Sequence, residues 1–511
     1  MFKATVHDTA SVLQLGLLLL GALALPASAR AQDAVADYRS ALTRAALENP
    51  EVMSAWHNFE ASRDERSVAR GNYFPRFDVE AGSAKEKSRT PVRLEDRYRT
   101  ENTRLNLTQM LFDGFATRNE VDRLDHVSRT RYYELEESSE IVGLDATAAY
   151  LDVLRRQRLV RLAEDNLDQH ESIFEDIEAR VSAGVSRRVD LEQASARLAL
   201  AETNLLIETA NLHDVTARFQ RVVGALPADE LAELELPLGL IPAEPVGALM
   251  KAYGRHPRLR AARAGIQAAR AELRTKAAPM LPRLDLRLSQ QRAEDLENLE
   301  GSHDQASAEI VFSYNVFRGG SDLYRRRQFE NRLSAARELR EKACRDVRQT
   351  LVIAYNDTRS FEAQLAYLEQ NELAIGKARV SYREQFQIGQ RSLLDLLDSE
   401  NEYFEIRRRK ANTASDLKIA QARTLAAMGL LLDGLEVRRR GADEEPTRVD
   451  DDEQLGLTRC PPDIPRSLPL RRDAIPSRGR RESRLRNPAP VPQGNASADS
   501  STAQPPAAPH R

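Results

Sequence analysis

The sequence predicts a mainly α-helical protein with a small β portion of membrane-spanning length, built as two copies of one unit: a strand hairpin followed by a long helical hairpin. Three observations predict it. Two stretches of helical pattern, 117–182 and 321–387, run unbroken by proline, far beyond the length of an ordinary globular helix. Short stretches of strict apolar/charged alternation precede each of them. The landmarks also recur at a near-constant offset: Asn49-Pro50 is matched 207 residues later by His256-Pro257, and Phe74-Pro75 by Leu281-Pro282.

Composition agrees with long solvated helices. Of the 511 residues 30% are charged and only 5% aromatic, which suits helices in water better than a compact catalytic core. A net charge of -3 gives no reason to expect nucleic acid. Residues 1–31 read as an export signal. Lys3 precedes an apolar run over 12–25, then Pro26, and Ala29-Arg30-Ala31 places cleavage before Gln32, with Ala27-Ser28-Ala29 as the alternative. No cysteine stands near that site, which argues against a lipid anchor. No second apolar run of spanning length follows, so any membrane crossing must be made by strands. Cys344 lies in a helical pattern and Cys460 in a proline-rich tail, and these unlike contexts argue against a structural disulfide between them.

The first repeat covers 32–240. A helical segment over 54–71 lies between X-Pro boundaries. Phe77, Val79 and Ala81 then alternate with Arg76, Asp78 and Glu80; after a charged connector at 86–99, Leu105, Leu107 and Leu111 stand against Asn106 and Thr108. Period two with one apolar and one polar face predicts a β-hairpin over 76–112. Leu111-Phe112-Asp113-Gly114 turns into a helical hairpin over 114–224, whose first arm buries Leu144, Ala148, Leu151 and Leu154, then Phe174, Ile177 and Val181. Its second arm carries Leu191, Leu198, Leu205, Leu212 and Phe219 every seven residues, with Ala194, Ala201, Val215 and Val222 between them.

The second repeat covers 241–432, after a proline- and leucine-rich join over 227–245. It has a helix over 261–278 and a β-hairpin over 283–317, in which Leu284, Leu286 and Leu288 pair with Ala306, Ala308, Ile310, Phe312 and Tyr314. Val316-Phe317-Arg318-Gly319-Gly320 then leads into a helical hairpin over 320–431. From 433 to 511 no apolar period survives, and that tail is expected to be disordered.

Each helical hairpin turns at a glycine, Gly184 and Gly389, with an aspartate six residues on, Asp190 and Asp395. Asp398 shares a helical face with Asp395. Read from the residues alone, these are helix-start acids beside a solvated arginine, Arg391.

The duplicated Asn/His-Pro starts, the Phe-Asp-Gly and Phe-Arg-Gly-Gly turns and the paired Gly-x5-Asp hairpins together resemble the TolC family of trimeric outer-membrane channels, over roughly 34–432. The resemblance implies a homotrimer in which each protomer gives four strands to a twelve-strand β-barrel, while its helices form a periplasmic tunnel closed at the hairpin ends. It also implies contact with outer-membrane lipid, and as partners a periplasmic adaptor (membrane-fusion) protein and an inner-membrane transporter. By the same resemblance Asp395 and Asp398 ring the pore constriction, where crowded carboxylates should titrate high and attract cations. Arg391 and Asp190 match the arginine and aspartate of the gate latch. Phe386 and Val189 replace the family's tyrosine and threonine, so part of the polar latch gives way to packing.

No catalytic constellation is present: no phosphate loop, no His-Glu-x-x-His, no paired-cysteine metal site, no Gly-x-Ser-x-Gly. The chain is not expected to be an enzyme, nor to hold a cofactor or metal. Within the channel reading, the missing lipid-anchor cysteine favours the outer-membrane component of a type I protein secretion system over that of a small-molecule efflux pump. A periplasmic coiled-coil adaptor without a pore would explain the signal and helices, but would leave the strand pairs without a role.

Overall fold

The computed structural model describes residues 34–88, 96–295, 301–444 and 460–465. The export signal 1–31 and most of the tail lie outside them. One folded unit ends at Asp463, and of the second, 464–511, only residues 464 and 465 are described.

The first repeat reads α1 (Tyr38–Glu48), α2 (Pro50–Gly71), β1 (Arg76–Ser88), β2 (Asp96–Phe112), α3 (Ala116–Ser182) and α4 (Arg188–Val223). The second reads α5 (Pro245–Arg255), α6 (Pro257–Ala277), β3 (Arg283–Glu294), β4 (Ser302–Ser313), α7 (Ser321–Gln387) and α8 (Leu393–Ala427), followed by one turn, α9 (Leu431–Gly434). The short helices α1 and α5 were not foreseen; the second opens inside the expected join.

The Asn/His-Pro landmarks are helix caps. The Asn49 side chain accepts from Glu51 N at 2.9 Å, with Pro50 as first residue of α2. The His256 ring accepts from Arg258 N at 3.2 Å, ahead of Pro257. An N-terminal proline forfeits a donor that the first helical turn cannot use. Each cap also meets the end of its own repeat. Asn49 Nδ2 donates to Val222 O at 2.9 Å, closing α4, while Gly429 just past α8 sits against Pro257 and Arg255.

The four strands form a single antiparallel sheet in sequence order, so the two predicted hairpins are joined through β2 and β3. Rows of pairs cross it on two unlike faces. Phe77, Leu107, Leu288 and Ala308 stand in one row and Val79 with Leu105 in the next; Asp78, Asn106, Ser289 and Ser307 line a row on the opposite face. There the Ser289 and Ser307 hydroxyls are 2.8 Å apart and Arg104 donates to Gln291 at 2.9 Å. Strands of 12 to 17 residues exceed the roughly 9–11 needed to cross a bilayer at a tilt. Two expectations are corrected here. The ladder continues into the charged segments taken as connectors, because antiparallel pairing needs no apolar face once it leaves hydrocarbon. Leu111 does not share the face of Leu107: a bulge between Met110 and Phe112 puts Phe112 opposite Leu284 instead.

Below the sheet, Asp113-Gly114 starts α3. Asp113 Oδ2 accepts from Thr117 N at 2.8 Å and from its hydroxyl at 2.6 Å. Gly114 has φ +67°, and a Cβ there would come within 2.6 Å of Ala278 O. At 67 residues each, α3 and α7 are on the order of 100 Å long. Among the described residues no helix is long and apolar enough to cross a membrane.

The main core gathers where α1, α2 and α4 wrap α3. Leu42, Phe59, Tyr132, Leu135, Tyr150 and Phe219 are buried together there. Leu144 and Ala148, expected in the stripe of α3, are only half-buried, whereas Val142, Ala146, Ala149 and Val153 are fully buried. With neighbours on several sides, the buried arc is wider than one stripe.

Two sequence expectations about the chain's end are overturned. Cys344 and Cys460 form a disulfide, with Cα atoms 5.5 Å apart. Residues 433–444 and 460–463, placed in the disordered tail, are ordered against the helices: Arg439 pairs with Glu136 at 2.9 Å, and Tyr253 donates to Pro461 O at 3.0 Å. Without periodicity, segments like these are held by individual long-range contacts.

Glu140 on α3 is buried, and one of its oxygens accepts from Leu432 N at 3.3 Å. Burial pushes its carboxyl up to about 8. The folded chain thus holds a proton that the unfolded chain has lost, so this contribution to stability declines as pH rises through that window. Relative to Glu140→Gln, the wild type should lose on the order of 1 kcal/mol or more between about pH 5 and pH 8 in denaturant titrations. Parallel pH curves for the two proteins would remove Glu140 from the account.

Candidate functional site at the ends of the helical hairpins

Both hairpins end in the same local structure. Gly184 N donates to Val181 O at 3.0 Å and Val185 N to Arg180 O at 2.8 Å; Gly389 N donates to Phe386 O at 3.0 Å and Gln390 N to Gln385 O at 2.8 Å. This bond pair closes a helix on a left-handed residue, and the glycines adopt φ +75° and +77°.

The returning helices begin alike. Asp190 accepts from Arg187 N and its guanidinium, both at 3.2 Å. Asp395 Oδ2 accepts from the Ser392 hydroxyl at 2.8 Å and from Ser392 N at 3.3 Å. The second cap is reciprocal, with Ser392 Oγ accepting from Asp395 N at 3.2 Å, whereas Arg187 offers no side-chain acceptor and Asp190 N donates to its carbonyl instead. In the protomer the Ser392 bonds hold the Asp395 carboxyl below its usual range, opposite to the expected rise. Arg391 lies within its own turn too, donating to Gln385 at 3.0 Å and sitting 4.5 Å from the centre of the Tyr382 ring. Within one protomer, then, Asp190 and Arg391 each hold partners from their own turn.

Asp398 stands apart from Asp395. It accepts from Arg197 of α4 at 2.8 Å, tying the second hairpin to the first. Phe386 joins an apolar cluster drawn from all four helices, with Ile173, Ile177, Ala194, Leu393 and Leu397, and Arg180 lies 5.1 Å from its ring centre. Val189 is exposed. Of these two residues, expected by resemblance at the latch, one packs inside and the other faces out.

Farther from the turns lies a second apolar cluster of Leu159, Leu162, Ala163, Phe404 and Ala411. A buried polar layer separates the two. Its centre is Glu400, with a side chain only 2% exposed, bound by Arg379 at 3.0 Å and Arg383 at 2.7 Å. Arg383 also donates to Gln169 of α3 at 2.7 Å. His170 is buried beside Glu400, and desolvation holds its pKa below the usual value, keeping the ring neutral at pH 7.

Sequence reasoning singled out neither Arg197 nor the Glu400 group. The signal was present, since Glu400 falls on the face of Leu393, Leu397 and Phe404, where a charge breaks an apolar line. Glu208 does the same between Ala201 and Val215; it is buried and paired with Arg156 at 2.8 Å. Among the described residues no group of three or more His, Cys, Asp or Glu side chains is placed to hold a metal ion. The arrangement is mechanical: two hairpins of one chain joined near their tips by apolar and ionic contacts.

The family model described as outer membrane efflux protein matches residues 41–225 and 248–430. The outer membrane efflux protein BepC of Brucella suis biovar 1 (strain 1330) is 26% identical over 457 residues, 88% of this chain and 97% of that protein. The alkaline protease secretion protein AprF of Pseudomonas aeruginosa is 28% identical over 412 residues, 76% of this chain and 83% of that protein. Among solved structures, the outer-membrane channel OprN superposes with a TM-score of 0.67 at 20% identity, covering 77% of this chain and 90% of that one. The fold is shared.

Removing a buried charge from a paired group leaves its partners uncompensated, whereas exposed pairs contribute little. Glu400→Ala should therefore destabilise the protein by about 3 kcal/mol. Arg407→Ala, which removes a half-exposed pair with Asp165, should cost about 0.5 kcal/mol or less. Thermal unfolding of the two variants checks the contrast, and equal losses would contradict it.

Proposed function

Since the chain belongs to the outer membrane efflux protein family, we propose that three copies assemble into one channel-tunnel that carries protein cargo out of the cell as the outer-membrane component of a type I secretion system. Location and class follow from the family: an outer-membrane channel with a periplasmic tunnel, not an enzyme.

The observation that carries the trimeric reading is the sheet. It has one apolar and one polar face, and its order leaves β1 and β4 as edges. Edges in lipid would leave backbone donors and acceptors unpaired at several kcal/mol each, so the sheet must close with others. Three four-strand sheets close a barrel whose polar rows, such as Asp78, Asn106, Ser289 and Ser307, face the lumen.

The hairpin ends form the gate. Asp395 and Asp398 stand at the constriction; Arg197 pairs with Asp398 at 2.8 Å and Arg391 only more distantly with Asp395, at 3.9 Å, so Asp395 presents the less compensated charge to a passing cation. Arg391 and Asp190 are close enough to solvent to exchange their own-turn partners for one another across neighbouring protomers. Phe386 holds the second hairpin by packing. A periplasmic adaptor and an inner-membrane transporter complete the path.

For protein cargo, support comes from the similarity to AprF, whose name assigns it to protease secretion. The similarity to BepC, named as an efflux protein and matched over nearly its whole length, favours small-molecule efflux as the second reading. Capturing the assembled channel with its inner-membrane partner separates them: an ATP-driven protein exporter supports secretion, a proton-driven pump supports efflux.

In planar bilayers, Asp395→Ala combined with Asp398→Ala should weaken block by multivalent cations about tenfold or more, and unchanged block would place the constriction elsewhere. Arg391→Ser should raise the resting conductance. Should it stay at the wild-type level, Arg391 has no part in the latch.

A further inference from the structure

The segment after α8 does something that neither the channel reading nor the family description covers. After the turn at Gly429 it runs first along the first repeat. Leu432 packs against Gly143, where a Cβ would lie 2.7 Å from its methyl group. Arg439 bridges Glu136 of α3 at 2.9 Å and Asp433 at 3.0 Å. Arg440 donates to Leu47 O of α1 at 3.2 Å, and Gly441, at φ +76°, lies against Trp56 and Leu135 with no room for a side chain. Arg63 of α2 pairs with Glu444.

Its other described part, 460–463, lies on the second repeat. Cys460 is bonded to Cys344 of α7, and Pro461 O accepts from Tyr253 of α5 at 3.0 Å and from Arg348 of α7 at 3.3 Å. The cysteines are 116 residues apart, and the loop between them contains Gly389 and the whole of α8.

We propose that the two described pieces, 431–444 on the first repeat and 460–463 on the second, act as a strap joining the repeats at the base of the second helical hairpin, with the Cys344–Cys460 disulfide as its lock. The ionic and packing contacts at 432–444 seat one end on α1, α2 and α3. The bond fastens the other end to α7, which those contacts do not reach. Both cysteines are buried in the folded chain. Closing the bond takes two electrons and two protons from the thiols; a disulfide-bearing oxidoreductase of the export compartment accepts them and becomes a dithiol. The lock closes the loop at its base and leaves the Gly389 tip free. The first hairpin carries no such bond, so the two hairpins differ in how firmly their bases are held.

The test needs no conductance measurement and so stands apart from the channel reading. Purified full-length mature protein is denatured in an alkylating reagent without reductant, digested and weighed. The expected result is one peptide pair joined through Cys344 and Cys460 and no alkylated thiol; two alkylated cysteines would overturn the proposal. Native protein is then compared with Cys344→Ser/Cys460→Ser and with wild type treated with reductant after folding. Both unlocked forms should be cut by trypsin at 438–440 about tenfold faster and melt about 5 °C lower. If the folded, reduced wild type matches the oxidised protein in both measurements, the bond locks nothing.

Discussion

A backbone amide or carbonyl left unpaired in hydrocarbon costs several kcal/mol, and the architecture follows from that constraint. The sheet resolves it internally for β2 and β3, and passes the problem on at β1 and β4. A protein with this sheet is complete only in the company of its own copies. The two-faced pattern of the strands then sets the polarity of the whole: apolar rows against lipid, polar rows against water. The helical arms of about 100 Å prolong the same conduit away from the bilayer.

Along the helices, stability and specificity come from different contacts. The clusters around Ile177 and Leu397, and around Leu159 and Phe404, supply burial, which is non-directional and tolerates sliding. The layer around Glu400 lies between them. A buried ion pair adds little over an apolar pair of similar volume, but it is sensitive to register, and Arg383 reaches both hairpins through Glu400 and Gln169. In the proposed gate, a hairpin that moves as a body and returns to one resting position uses both kinds. The tip residues complete the arrangement: each aspartate caps its own helix, so the turns stay folded whatever they touch across the assembly.

The base of the structure is held differently from the tip. Around Tyr150 and Phe219 the helices are enclosed on several sides. The strap adds a covalent bond on the side of the second repeat alone. Rigidity is therefore concentrated at the middle of the molecule, and the contacts nearest Gly184 and Gly389 are those most open to exchange.

Periodicity and local chemistry were enough to place the long helices, the two strand pairs and the turns, but not the short helices α1 and α5. Period two, period 3.6 and the Asn49, His256, Gly184 and Gly389 signals all act within a few residues, where neighbours in sequence are neighbours in space. The same locality made the Asp190 and Asp395 positions legible as helix starts. What only the tertiary structure decided are contacts between distant segments: Cys344 with Cys460, Arg197 with Asp398, Glu140 with Leu432, and the bulge that displaces Leu111. Glu400 and Glu208 could be read as charges breaking an apolar line, yet not as buried hubs, because burial belongs to the partner helix. A chain's own pattern says which face it offers; which residue arrives to meet that face depends on how segments a hundred residues apart are folded together.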